Sequence, residues 1–171
     1  MPDIFIFYPI DLLSMRIDLE HRRSMDEGGI LDLLERMEVG HIATVDPAGM
    51  PYVVPVHFVF DGEHIYFHGL SQGKKLDHIR SNPAVCFETY ELIKIGLNEI
   101  NPCDSWTYYR SVVATGTARI LESREEKVRG LKLLNGKYFK GLFGEMSANM
   151  IEGTSVVEMT VDRVSGKHHE A

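Results

Sequence analysis

The run Ser71-Gln72-Gly73-Lys74-Lys75 is the part of the sequence best suited to chemistry: a strand-like segment ends in small residues, and two lysines open a helix-like one. Helix starts expose N–H groups that have no intrahelical acceptor, so they favour phosphate. Lysines normally favour the opposite end of a helix. Two of them in a first turn are locally unfavourable unless an anion compensates, although the same five residues also suit a solvated surface helix. Their spacing is not that of a Walker nucleotide loop.

The sequence has eight histidines. His41, His57, His64, His68 and His78 are scattered over different segments with no His-Glu-x-x-His arrangement, so no metal site is expected. His64 and His68 sit at even spacing in one strand-like run and share a face. Ser111 and Ser155 lack the Gly-x-Ser-x-Gly elbow of a nucleophile, and Glu125 and Glu126 read as helix-start charges, which argues against a hydrolase. Cys86 and Cys103 are too few for a disulfide framework and fit a reducing cytoplasm; Cys86, within Ala84-Val85-Cys86-Phe87, reads as a buried structural thiol.

These residues need a scaffold, and 171 residues with 44% hydrophobic content suffice for one domain with an ordinary core. A formal charge of −7 argues against nonspecific nucleic-acid binding but leaves room for one local positive pocket. The apolar stretch Ile4 to Leu13 is too short to span a bilayer and lacks the features of a secretory signal, so residues 1–24 are expected to be an N-terminal extension and the protein to keep clear of membranes.

Ser24 is the expected cap of a helix carrying Ile30, Leu31, Leu34 and Met37 on one face, with Gly40 as its stop. Strand character follows at His41 to Asp46, Tyr52 to Phe60 and His64 to His68, joined by Asp46-Pro47-Ala48-Gly49 and by Asp61-Gly62. Ser71 to Ser81 reads as a helix ended by Asn82-Pro83. Ala84 to Glu91 and Trp106 to Leu121 read as strands, the second bent at Gly116. Ser123 and Glu126 form a capping box, and the helix they open is expected to end at Asn135-Gly136. Tyr138 to Met150 gives no clear pattern; Thr154 to Val164 is a closing strand, and His168-His169 belongs to a tail at 168–171. Six strands in hairpin order predict a mainly β fold, a closed or partly closed barrel with accessory helices.

The order Ala43 to Asp46, Gly49 to Val56, Ile65 to His68, Gly73-Lys74-Lys75 to Asn82-Pro83, then Ser111 to Gly116 resembles the FMN-binding split-barrel superfamily. Within it the likeness is to Nim-like, nitroimidazole-resistance-type flavoproteins related to pyridoxamine 5'-phosphate oxidase, over about Arg22 to Lys167. The resemblance implies a six-stranded antiparallel split barrel at 25–167. It also implies FMN as cofactor and a homodimer with FMN at the interface, where Trp106, Tyr108 or Tyr109 would face the partner. By position it implies cofactor contacts from Tyr52, Val53, Val54, Pro55, Val56 and His57, from Phe67 and His68, from Lys74 and Lys75 on the phosphate, and from Ser111 where the oxidase has a glutamine. His57 stands where the oxidase has a lysine, which weighs against pyridoxamine phosphate oxidation.

The expected function is that of an oxidoreductase passing electrons from a small-molecule donor through FMN to a small, planar or nitroaromatic acceptor, with His57 and His68 as catalytic residues. A non-catalytic carrier or sensor of flavin or a haem-like ligand is the alternative, and deazaflavin use is a further one.

Overall fold

The computed structural model describes residues 16–17, 23–139 and 146–170. Its elements in chain order are β1 (Arg16–Ile17), α1 (Glu27–Arg36), β2 (Val39–Val45), β3 (Pro51–Phe60), β4 (His64–Leu70) and α2 (Lys74–Ser81). β5 (Ala84–Gly96), β6 (Trp106–Ile120), α3 (Arg124–Phe139), α4 (Ala148–Gly153) and β7 (Thr154–His169) complete them. The six long strands run in the order β7-β4-β3-β2-β5-β6, every neighbour antiparallel, and β6 pairs again with β7 to close the barrel. This is the expected mainly β, six-stranded split barrel. The two-residue β1 adds a parallel pairing to β7.

The turns form where the sequence placed them. Asp46 accepts N–H bonds from Ala48 and Met50, both at 2.9 Å, and Gly49 takes the positive φ of 85° that closes the β2–β3 hairpin. Gly116 marks a register shift against β7, and a Cβ there would stand 1.9 Å from the Thr160 carbonyl oxygen. It is the expected bend.

Four local expectations are corrected. Asp26, not Ser24, caps α1, accepting from Gly29 N–H at 2.8 Å, while Ser24 bridges to Lys167. Gly40 does not stop that helix: it lies inside β2, with no room for a Cβ beside the Phe87 ring 2.2 Å away. α3 runs through Asn135-Gly136 to Phe139, because Lys137 and Tyr138 find partners on the barrel that outweigh the local stop signal. His168 and His169 are no tail: β7 continues through them against Arg110 and Tyr109. Backbone pairing with a long neighbouring strand holds them. The unpatterned stretch is α3's last turn, then α4; residues 140–145 lie outside those described.

The core has two parts. Ile30, Leu33 and Leu34 of α1 pack with Ile42, Phe58, Phe67, Phe87 and Met159 inside the barrel. Outside it, Leu131 of α3 and Ile151 of α4 cover Tyr66, Leu121 and Val156. Glu158 ties this outer layer together. Its buried carboxylate accepts from the Tyr66 hydroxyl at 2.8 Å, from Arg119 at 2.7 Å and from Arg129 at 3.0 Å.

Burial alone would raise the pKa of Glu158, but these donors outweigh it and hold the group below the usual glutamate range. The stability it contributes is therefore complete above the ordinary glutamate pKa and is lost as pH falls through the lowered native one. Both arginine heads are more than half exposed and rehydrate easily. Glu158→Ala should then cost about 1–3 kcal/mol, chiefly for the orphaned Tyr66 hydroxyl. Thermal melts of both proteins from neutral to acid pH should show the gap closing on the acid side.

Candidate functional site

Strand alternation sorts the predicted contacts of β3. Val56 and Phe58 are buried in the core, and Tyr52 and Val54 are half-buried on the same side, whereas Val53, Pro55 and His57 are exposed on the other. The backbone groups of Tyr52, Val54 and Val56 face β2, so those that this strand can offer a ligand belong to Val53, Pro55 and His57. Phe67 is fully buried and its backbone faces β7, whereas that of His68 faces the β3 side.

The barrel opens between β3 and β4. β3 pairs with β2 from Pro51 to His57 but with β4 only from Phe58 to Phe60. β4 pairs with β7 along its whole length, His64 to Leu70, and beyond Phe67 it leaves β3. The β4-side edge of β3 from Pro51 to His57 is therefore left without a strand partner among the described residues. Such an edge presents backbone donors and acceptors that need partners.

The turn Ser71-Gln72-Gly73 carries the chain from β4 into α2 across from this edge. Gly73, at φ 142°, caps α2 without a side-chain hydrogen bond, so the first-turn N–H groups have no side-chain acceptor. The ammonium of Lys74 lies 5.2 Å from the Tyr52 ring centre and that of Lys75 lies 5.5 Å from the Phe67 ring centre. Lys74 is exposed and Lys75 half-buried. Burial pulls the Lys75 amine below the usual lysine value, and no carboxylate counters that pull.

His57 and His68 are both exposed on the outward side of the opening. Partial desolvation of the His68 ring against the protein, with His57 and Lys75 nearby, pushes its pKa below the usual histidine range. His64 lies elsewhere: it belongs to the Asp61 turn, with Nδ1 3.6 Å from that carboxylate. Ser111 does not join the group either. It sits on β6, with β2 and β5 between it and β3, about 14 Å away at the ordinary strand spacing.

Sequence reasoning missed two supports of this site. His78 of α2 is buried and meets the Thr44 hydroxyl of β2 at 3.1 Å, and that hydroxyl also donates to the Tyr52 carbonyl at 3.3 Å. The position of His78 between the apolar Leu76 and Ile79 was the available signal. Tyr138 packs its ring on the His57 imidazole with centres 4.9 Å apart; only the three-dimensional path of α3 puts it there. Among the described residues no three His, Cys, Asp or Glu side chains gather as a metal site. No helix among them is long and apolar enough to cross a membrane.

A closed antiparallel barrel, split beside one strand edge and facing a lysine-bearing helix start, defines a split-barrel protein. The chain belongs to the pyridoxamine 5'-phosphate oxidase family, whose model matches residues 26–168.

Three solved structures show the same fold. One is a candidate 5-nitroimidazole antibiotic resistance protein from Bacteroides thetaiotaomicron: 24% identity, 84% of this chain and 85% of that one, TM-score 0.74. Another is a FAD and heme binding protein from Mycobacterium smegmatis: 19% identity, 88% and 75% coverage, TM-score 0.79. The third is a F420 reductase: 28% identity, 82% and 98% coverage, TM-score 0.56. No curated protein matches the chain.

Proposed function

We propose that the protein binds FMN in the opening between β3 and β4 and works as a cytoplasmic oxidoreductase. The observation that carries this reading is the unpaired edge of β3 lying across from Lys74 and Lys75. The edge suits the hydrogen-bonding rim of a flavin ring, and the two ammonium groups with an α2 start that lacks a side-chain cap bond suit its phosphate. Flavin bound there would take electrons from a small-molecule donor and pass them to a small planar acceptor, nitroaromatic compounds among them. His57 and His68 flank the opening, and the neutral His68 imidazole can accept or relay a proton beside the acceptor.

The working form in this reading is a homodimer of the barrel domain. The outward face of β3, β2, β5 and β6 exposes Val53, Val39, Tyr90 and Val113. An apolar surface of this kind marks an interface, and a two-fold axis is the usual solution. Ser111 lies on that face, so it would serve a flavin held by the second copy, with Trp106, Tyr108 and Tyr109 flanking the same interface.

The test is the visible spectrum of the purified protein, then mass identification of whatever heat denaturation releases. Free FMN is the expected product. A colourless protein that takes up no added FMN would sink the reading. Adding NADH or NADPH and then a nitroaromatic acceptor should bleach the holoprotein and restore its colour. Replacing both His57 and His68 with alanine should slow this cycle about 100-fold or more while FMN stays bound.

The likeness to the FAD and heme binding protein supports a second reading, a carrier or sensor of flavin or haem. Holoprotein that is not reduced by either nucleotide would favour it.

A further inference from the structure

We propose that Tyr138, at the end of α3, is a positioning residue that fixes the imidazole of His57 at the opening; this rests on the functional reading given to His57 above. The β2–β3 ladder ends at the Val39–His57 pair. The next pair would join Glu38 and Phe58, but the Tyr138 hydroxyl stands between them. It accepts the Phe58 N–H at 2.7 Å, and it lies 2.6 Å from the Glu38 carbonyl and 2.7 Å from the Phe58 carbonyl, to one of which its single proton goes.

A phenol in this position replaces a rung of the sheet, so β3 just past its ladder with β2 is held by a side chain from a helix 80 residues further along. The same ring then covers one face of His57, the planes tilted by 33°. The imidazole keeps its other face for the opening.

A second contact fixes the helix that brings the ring. The Lys137 ammonium donates to the Leu34 carbonyl at 3.0 Å and lies 3.9 Å from the Phe58 ring centre. α3 is thus fastened to α1 and to the core side of β3 by one residue, and to the rim of β3 by the next. Burial pulls the Lys137 amine down to about 8 and pushes the Tyr138 phenol up to about 12, so the phenol remains a neutral donor across the working range. With both anchors made, His57 has few orientations left to sample, which is what a proton-transfer group needs.

The experiment uses the full chain with FMN bound and compares wild type, His57→Ala, Tyr138→Leu and the double variant. In the ligand-free protein, aromatic NMR should show the His57 ring protons displaced by the Tyr138 ring current and returned toward ordinary values in Tyr138→Leu. In the holoprotein, Tyr138→Leu should lower kcat about 10- to 100-fold with KM for the donor and the FMN Kd within about twofold of wild type. The double variant should be no slower than His57→Ala alone, because the two losses act through one group.

Unmoved His57 signals, or losses that multiply, would overturn the proposal. Should Tyr138→Leu fail to fold, Tyr138→Phe keeps the ring and removes the clasp: Phe58 amide exchange should rise about tenfold and kcat fall with KM unchanged. An unchanged kcat there would equally overturn it. If the protein takes up no FMN at all, the functional reading fails by itself, and the ring signals alone decide whether Tyr138 places His57.

Discussion

Replacing Lys74 and Lys75 together with alanine should weaken FMN binding about 100-fold to 10,000-fold while leaving the barrel folded. Each lysine is expected to make a charge-assisted bond to the phosphate, worth about 1.5–3 kcal/mol, and about 1.4 kcal/mol corresponds to a tenfold change in Kd. Neither amine is needed for folding: Lys74 is exposed, and the burial of Lys75 is a cost rather than a gain. Flavin fluorescence titration gives the two constants directly.

The pH dependence of the wild type follows from the same groups. Affinity should rise as the phosphate loses its second proton near pH ~6. It should fall again on the alkaline side, as pH passes through the lowered value of Lys75, because that amine then loses the charge it offers the phosphate. In the double alanine variant the alkaline fall should vanish. Affinity within threefold of wild type would mean that the phosphate is bound elsewhere.

Gly116→Ala should leave little folded protein. The added methyl would sit 1.9 Å from the Thr160 carbonyl oxygen and 3.0 Å from its carbon, both backbone atoms of the strand that closes the barrel. A flexible side chain could turn away, but here β7 itself has to shift, and β7 is bonded to β4 on its other side. Ordinary overpacking costs about 1–3 kcal/mol. A backbone collision at the closing seam should exceed about 4 kcal/mol, a large part of a total stability of about 5–15 kcal/mol. Gly153→Ala is the control, since a Cβ there meets nothing within 4 Å. Urea unfolding should leave that variant at or slightly above the wild-type midpoint. A Gly116→Ala midpoint near wild type would show that the seam can yield.

The parts of the fold that were readable from sequence are those governed by neighbours along the chain. Strand character in Tyr52 to Phe60 comes from β-branched and aromatic residues alternating on a pleat, and the hairpins come from Asp46 to Gly49 and Asp61-Gly62, whose turn chemistry is contained within four residues. The capping box at Ser123 and Glu126 formed as read, with the Ser123 hydroxyl accepting Glu126 N–H at 3.2 Å. Misreadings arose where a distant partner overruled a local signal. Asn135-Gly136 is a sound helix stop, yet Lys137 and Tyr138 gain bonds to Leu34, Glu38 and Phe58 by staying helical. Gly40 looked like a stop and is in fact a concession to the Phe87 ring.

The candidate site divides in the same way. The lysine-bearing helix start and the two outward histidines follow from residue type and strand period, which a chain carries in its own order. By itself, then, the sequence determined the six strands, their turns, the bend at Gly116 and the lysine-bearing helix start after Gly73. Only the tertiary structure decided that β3 and β4 part at His57 and His68, that Ser111 lies across the sheet from them, that Glu158 collects two arginines and a tyrosine, and that Tyr138 rests on His57. Each of these depends on which strand edge is left unpaired when the barrel closes, and closure is settled by contacts between residues far apart in the chain.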